Sequence, residues 1–348
     1  CNHIFYQKKL KKMIKTDIII IGAGPVGLFT VFEAGLLKLK CHLIDALPQP
    51  GGQCAEIYPK KPIYDIPGYP SILASELVDK LMKQIEPFNP GFTLGETAQT
   101  IKKNSDGEFI IKTTQGTSIK APVVAIAGGL GVFTPRKPNI SNLESFENDK
   151  VFYIVKEPSL FKDKEIVISG GGDSALDWAL FFAENYASDV KLIHRSDNFR
   201  AHNDSVQRAL DYSKQGKIKM ILNSQVSGIS KNENKITLDV QSKNNDLSKI
   251  NCDNWLPLFG LTPKIGPIGD WGLEIQKNAI KVDNATDYST NIDGIYAIGD
   301  VNTYPGKLKL ILCGFHEAAI MVQSAFKKVY PNKNNVLKYT TVTGIKGF

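Results

Sequence analysis

The 348-residue chain has no C-x-x-C pair, and its five cysteines, Cys1, Cys41, Cys54, Cys252 and Cys313, are scattered. An odd, dispersed set excludes a disulfide framework and reads as reduced thiols. The histidines do not cluster with the cysteines, so no metal site is expected. Runs of like charge are almost missing too. The cluster Lys8–Lys12 is too short to argue for nucleic acid. The net charge of +7 is moderate and spread along the chain, which favours an acidic partner or an anionic ligand weakly. One long apolar run exists, Ile18 to Leu37, with Glu33 its only charge. A strand, a glycine turn and a helix account for it better than a membrane span does. The first twelve residues, CNHIFYQKKLKK, lack the apolar core of a signal peptide. Residues 1–12 are expected to be an extension, with Met13 as the start. Apolar content of 42% and charge of 22% fit a soluble protein of about two domains, expected in the cytoplasm.

What the chain does have is glycine in two telling places. TDIIII is a short β-branched run, the pattern of a buried parallel strand. Gly22-x-Gly24-x-x-Gly27 follows it. In such a loop the first glycine allows the tight turn, the second lets backbone approach a pyrophosphate, and the third allows close helix–strand packing. The next helix directs its amides and positive dipole end at the phosphates. A second strand, KCHLID, ends in Asp45. An acid roughly 20 residues beyond the loop can accept hydrogen bonds from a ribose 2′-hydroxyl.

KEIVISGGGDSALDWALFFAENYASDVKLIHRS repeats the pattern. The strand is Glu165–Ser169. Gly170, Gly172, Asp173, Ser174 and Ala175 form the loop and open a helix expected to run to about Tyr186. The acid is missing after the next strand, DVKLIHR. His194 and Arg195 stand in its place, with Arg200 close behind. A carboxylate would repel a 2′-phosphate, whereas a guanidinium binds it through paired, charge-assisted bonds. The first loop therefore suits a 2′-hydroxyl nucleotide and the second NADP(H). Two loops of opposite ribose chemistry imply two nucleotides, of which a held flavin and a visiting NADPH are the usual pair.

A third element, TNIDGIYAIGD, spans Thr290 to Asp300 and precedes LILCGFHEAA. A strand ending in Gly-Asp can set Asp300 against flavin ribityl or phosphate groups. GAGPVG, GGGDSA and YAIGD together resemble the two-dinucleotide-domain flavoprotein reductases. GGQCAEIYPKKPIYDIPGYP, Gly51 to Pro70, narrows the resemblance to the thioredoxin-reductase-like ferredoxin–NADP(+) reductases. It covers Met13 to about Phe348.

The resemblance implies an α/β protein of two Rossmann-like, three-layer ββα domains, with the NADP domain inserted into a discontinuous FAD domain. The expected division is 13–130 and 257–348 for FAD and 131–256 for NADP(H), with crossings near Ala127–Pro138 and Asn254–Pro263. Family flavin contacts fall on Asp45, Gln53, Tyr58, Ala98, Phe133, Asp300 and Thr341, and a backbone contact on Val26. The family often has a second arginine after Arg195, where this chain has Ser196. Thioredoxin reductases carry C-x-x-C shortly before the second glycine loop. Here VFYIVKEPSLFKDK, Val151 to Lys164, has no cysteine, so a disulfide relay lacks its nucleophile and its resolving partner. Cys54 is expected to be a buried structural thiol. No acid–base machinery is evident; His202, His316 and Glu317 are candidates in name only, and none is needed if the flavin carries the chemistry. The expected activity is electron transfer between NADP(H) and a ferredoxin through FAD, by a homodimer that a domain rotation assists. An NADPH-dependent flavin or quinone reductase, or an oxidase, is the alternative.

Overall fold

A computed structural model of the chain describes residues 13–155, 157–333 and 344, with the side chains of 132–134 and 261–263 outside the description. The chain forms two compact units. One takes the residues up to Val132 and from Pro263 onward; the other is Phe133–Thr262.

The first unit is built on Ile18–Ile21, buried along its whole length. A strand with no polar face belongs inside a parallel sheet covered on both sides. Its neighbours are Val123–Ile126 and Cys41–Asp45, and the five-stranded parallel sheet is completed by Ile295–Ala297 and Gly91–Leu94 at its edges. The helix Pro25–Leu36 starts with proline, whose missing N–H costs nothing at a first helical position. It packs against Ala74–Ile85 and Ile311–Val329. Phe29 stacks on Phe32 and tilts against Phe315 across that helical layer. The remaining layer holds Ala98–Lys103, Phe109–Thr113 and Ser118–Ala121, antiparallel, with Ile14–Lys15 added parallel to the last.

The second unit repeats this plan. Its parallel sheet runs Lys219–Ile221, Asp189–Ile193, Glu165–Ser169, Asn254–Pro257. Strand alternation divides its core in two. Ile166, Ile168, Leu192 and Leu256 pack with the helices Asp173–Asn185 and Asn203–Lys214. Val167, Ile193 and Trp255 pack with Ile236, Leu238 and Val240 of an antiparallel meander, Ser224–Asn232, Lys235–Ser242 and Leu247–Cys252. The buried Trp255 indole donates to Ser169 Oγ at 2.8 Å, so the one polar atom of that ring is satisfied.

In each unit the strand that carries the glycine loop has its sequential successor on one side and a later strand on the other. This is a topological switch point, where the C-terminal strand ends open a crevice for a ligand. No helix among the described residues is long and apolar enough to cross a membrane.

Candidate nucleotide sites

In the first unit, Gly22 has φ +107, and a Cβ on it would meet Ala127 O at 2.4 Å. A Cβ on Gly27 would lie 2.0 Å from Gly22 O, so helix and loop touch through bare backbone. The helix cap Gly24 offers no side-chain hydrogen bond. The first amides of Pro25–Leu36 are therefore left for an anion. Val26 sits in this first turn, with its methyls against Gly299 and Gly314.

Asp45 ends the neighbouring strand and accepts from Ala23 N–H at 2.6 Å and Leu47 N–H at 2.9 Å. Burial pushes its carboxyl up, while these two amides draw it down. The backbone N–H of Glu96 donates to Asp45 O at 3.1 Å, which brings the segment leading to the buried Ala98 alongside. Gly51 N–H donates to Ala23 O at 2.8 Å, and a Cβ on Gly52 would come 3.0 Å from Gly24 Cα. The helix Gln53–Glu56 is thereby docked at the loop, and Gln53 Nε2 lies close to Gly129. Tyr58 hydrogen-bonds the buried Cys54 thiol, and both feel the Asp300 charge. Burial, opposed by that bond, pushes the Cys54 thiol up to about 11.

Asp300 is half-buried, and its carboxylate makes no hydrogen bond or ion pair among the described residues. Burial raises it, and Lys307 and Lys309 draw it down. Gly22, Gly24, Val26, Gly27, Asp45, Gln53, Tyr58 and Asp300 thus converge on one crevice, with Ala98 at the Asp45 end. The Phe133 side chain and Thr341 lie outside the described residues. An uncapped helix start, a glycine-lined approach and an unpartnered carboxylate fit a flavin dinucleotide.

In the second unit the helix Asp173–Asn185 begins at Gly172, again without a side-chain cap. Gly170, Asp173, Ser174 and Ala175 lie around this start, with Asp173 and Ser174 exposed. The segment after Asp189–Ile193 folds back over the loop. Arg200 N–H donates to Gly171 O at 2.7 Å, and His202 N–H donates to Asp173 Oδ1 at 2.8 Å. Arg195 and Arg200 are exposed at this edge.

His194 is placed differently from its neighbours. It is only 8% exposed. Its ring stacks on Phe199 at 5.0 Å, and Nε2–H donates to Asn198 O at 3.1 Å. Burial lowers its pKa; the bond to Asn198 opposes this, and the Arg195 and Arg200 charges add to the lowering. A Cβ on Gly171 would strike this ring at 2.2 Å. His194 therefore braces the loop from beneath, while the two arginines face solvent. The middle glycine of GGGD was the signal for this close approach.

The buried cysteines have thiols held up by burial: Cys252 is pushed up to about 12 and Cys41 higher still. Cys313 is half-buried. Glu317 has no exposed surface and joins the turn that carries Asp300, a role its sequence context did not reveal. His316 is exposed on the same helix, and His202 caps the helix Asn203–Lys214 by accepting from Asp204 N–H.

Two Rossmann-type units, one inserted in the other, define a two-dinucleotide-domain oxidoreductase. Residues 16–321 match the pyridine nucleotide-disulphide oxidoreductase family, and the chain belongs to it. A protein of Flavobacterium johnsoniae named ferredoxin–NADP reductase is 63% identical over 336 residues, covering 97% of this chain and 95% of its own. Another of that name, from Nitrobacter winogradskyi, is 48% identical over 333 residues, covering 95% and 96%. Among solved structures, Lactococcus lactis thioredoxin reductase matches with a TM-score of 0.74 at 27% identity, covering 91% of this chain and 99% of that one. The T. acidophilum thioredoxin reductase has the same fold, with a TM-score of 0.74 at 24% identity over 90% and 98%.

Proposed function

We propose that the chain is an FAD-dependent ferredoxin–NADP(+) reductase, which passes electrons between NADP(H) and a ferredoxin without a redox-active cysteine pair. The observation that carries this reading is the pair of glycine loops with opposite partners: Asp45 beside the first, Arg195 and Arg200 beside the second. The relatives' shared name supports the choice of ferredoxin.

Asp45 would accept the adenosine ribose hydroxyls and Asp300 the ribityl or phosphate-side groups. The uncapped amides at Val26 and Gly27 would meet the pyrophosphate. Gln53 and Tyr58 would supply polar contacts, with Ala98 packing at the adenosine end. Phe133 and Thr341 complete the proposed FAD set. On the second unit, Gly170, Gly172, Asp173, Ser174 and Ala175 would cradle the NADP(H) pyrophosphate. Arg195 and Arg200 would hold the 2′-phosphate, and His194 would keep their loop in place. When bound, the flavin supplies the exchange between two-electron hydride chemistry and one-electron delivery. The chain's own task is position and charge, so no side-chain base is required. The buried Cys54 and Cys252 thiols are held up and are poor nucleophiles, and the sequence has no C-x-x-C pair, which supports a reaction without a disulfide relay. The proposed division assigns 13–130 and 257–348 to FAD, and 131–256 to NADP(H). The family resemblance supports a cytoplasmic homodimer, which light scattering on the purified protein would check.

Anaerobic turnover with NADPH tests the reading. Saturable reduction of a low-potential ferredoxin, with no reduction of a thioredoxin disulfide, is expected. Rapid NADPH consumption by oxygen, quinone or free flavin that ferredoxin does not enhance would favour the flavin-reductase alternative.

A further inference from the structure

Glu317 has 0% exposure and Lys307 only 6%, and the two form an ion pair. Two charges taken out of water recover their hydration only through good geometry and further hydrogen bonds, and an apolar pair of like size is often as stable. Fold stability alone therefore does not account for this pair.

Its surroundings do. Glu317 Oε2 accepts from Gly299 N–H at 2.6 Å and from Asn302 Nδ2 at 2.8 Å. Oε1 accepts from the Tyr304 hydroxyl at 2.8 Å and from Lys307 Nζ. A carboxylate offers about four lone-pair sites, and all are used. Two of these donors lie beside Asp300 in the chain. Gly299 precedes it at φ +77, and Asn302 follows, tied also to Ala297 O at 2.9 Å. The turn that presents Asp300 is thus held from behind by one side chain on the helix Ile311–Val329. Lys307 lies between two acids. Its Nζ is paired with Glu317 and sits 5.2 Å from the Tyr304 ring centre, while its charge also reaches Asp300. Yet Asp300 makes no ion pair among the described residues.

We propose that Glu317 is a positioning residue for the flavin site: it fixes the Gly299–Asp300 turn and sequesters Lys307, so that the Asp300 carboxylate stays open for the flavin's hydroxyls. This rests on the assignment of that crevice to FAD. The site needs an acceptor-only carboxylate at its rim, but a free lysine within reach would close it as a salt bridge. A second, fully buried acid with better hydrogen-bond geometry outcompetes Asp300 for that lysine.

The test is FAD binding to the full-length apoprotein, read by quenching of flavin fluorescence, for the wild type, D300N, E317Q, K307M and E317Q/K307M. E317Q is expected to weaken FAD binding about tenfold or more, as loss of a charge-assisted bond to the turn and capture of Asp300 would give. K307M leaves the buried Glu317 carboxylate without its counter-charge and is expected to lower the thermal midpoint, with FAD binding weakened less than in E317Q because the Gly299 and Asn302 contacts remain. The double variant should bind FAD more tightly than E317Q, because the lysine that E317Q leaves buried and unpaired beside the turn is then gone. A double variant that binds no better than E317Q would overturn the proposal, as would E317Q with wild-type affinity. Should E317Q fail to fold, E317Q/K307M decides alone, since it leaves no unpaired buried charge: wild-type FAD affinity in the folded double variant would overturn the proposal. NADP+ binding to the same variants serves as the folding control. D300N with wild-type FAD affinity would refute the flavin assignment itself, and the proposal with it. If D300N loses FAD while E317Q does not, only the proposal fails.

Discussion

Asp45 and Asp300 share an electrostatic condition: burial raises both carboxyls above their ordinary value. The folded protein therefore takes up protons at these groups at a higher pH than the unfolded chain does. For the apoprotein, their contribution to stability is unfavourable when both are ionised and improves as pH falls through the raised folded values. Flavin binding has the opposite sign, because a protonated carboxyl loses acceptor capacity for hydroxyls. FAD affinity should weaken as pH is lowered through a window just above the ordinary aspartate range. D45N and D300N should bind FAD weakly, with that acid limb flattened; a titration of FAD affinity against pH measures both effects. On the other unit, R195A and R200A should each weaken NADPH binding about 10–100-fold, the worth of a charge-assisted contact to a phosphate. NADH binding should hardly change, so the ratio of kcat/KM for the two nucleotides is the readout. R195K should recover only part of the loss, since an ammonium lacks the paired fork.

At the scale of elements, the two loops depend on places where a side chain cannot fit. Gly27→Ala would drive a methyl into the backbone oxygen of Gly22, which has no freedom to yield. A destabilisation of about 2 kcal/mol or more is expected, seen as a lower thermal midpoint and loss of bound FAD. Gly171→Ala would instead push the His194 ring off Phe199. NADPH affinity should then fall about tenfold with FAD content unchanged, because the brace lies wholly within the second unit. Equal loss of both nucleotides would contradict that division of labour.

Much of this was legible beforehand, for a physical reason. Strand Ile18–Ile21, helix Pro25–Leu36 and strand Cys41–Asp45 announce themselves through local rules of β-branching and glycine spacing. The second helix, expected to reach about Tyr186, ends at Asn185, and its next strand stops at Ile193, short of the expected Arg195. Its place near the end of that strand points His194 to the ribose side. Its burial under Gly171 depends on where the chain returns at Arg200; the bare middle glycine of GGGD marks a close approach there but not the side chain that makes it. The Lys307–Glu317 pair is similarly hidden. A loop lysine and a helix glutamate meet where the Gly299–Asn302 turn also bonds Glu317, a convergence that no local spacing encodes.

At the scale of the whole molecule, the net charge of +7 bears on association more than on folding. An acidic ferredoxin would be steered toward this protein, and the second-order rate should fall several-fold between about 0.05 and 0.5 M salt as screening shortens its reach. NADPH-driven reduction of the enzyme's own flavin should be much less sensitive. The most direct test of the account is a double-mixing experiment without oxygen. NADPH is mixed first with the purified FAD-loaded protein, and ferredoxin is added second, while the yellow flavin absorbance is followed. NADPH is expected to bleach the flavin, ferredoxin to restore the colour as it becomes reduced, and a thioredoxin disulfide to restore nothing. A flavin that NADPH cannot bleach, or one that the disulfide reoxidises while ferredoxin does not, would contradict the reductase reading.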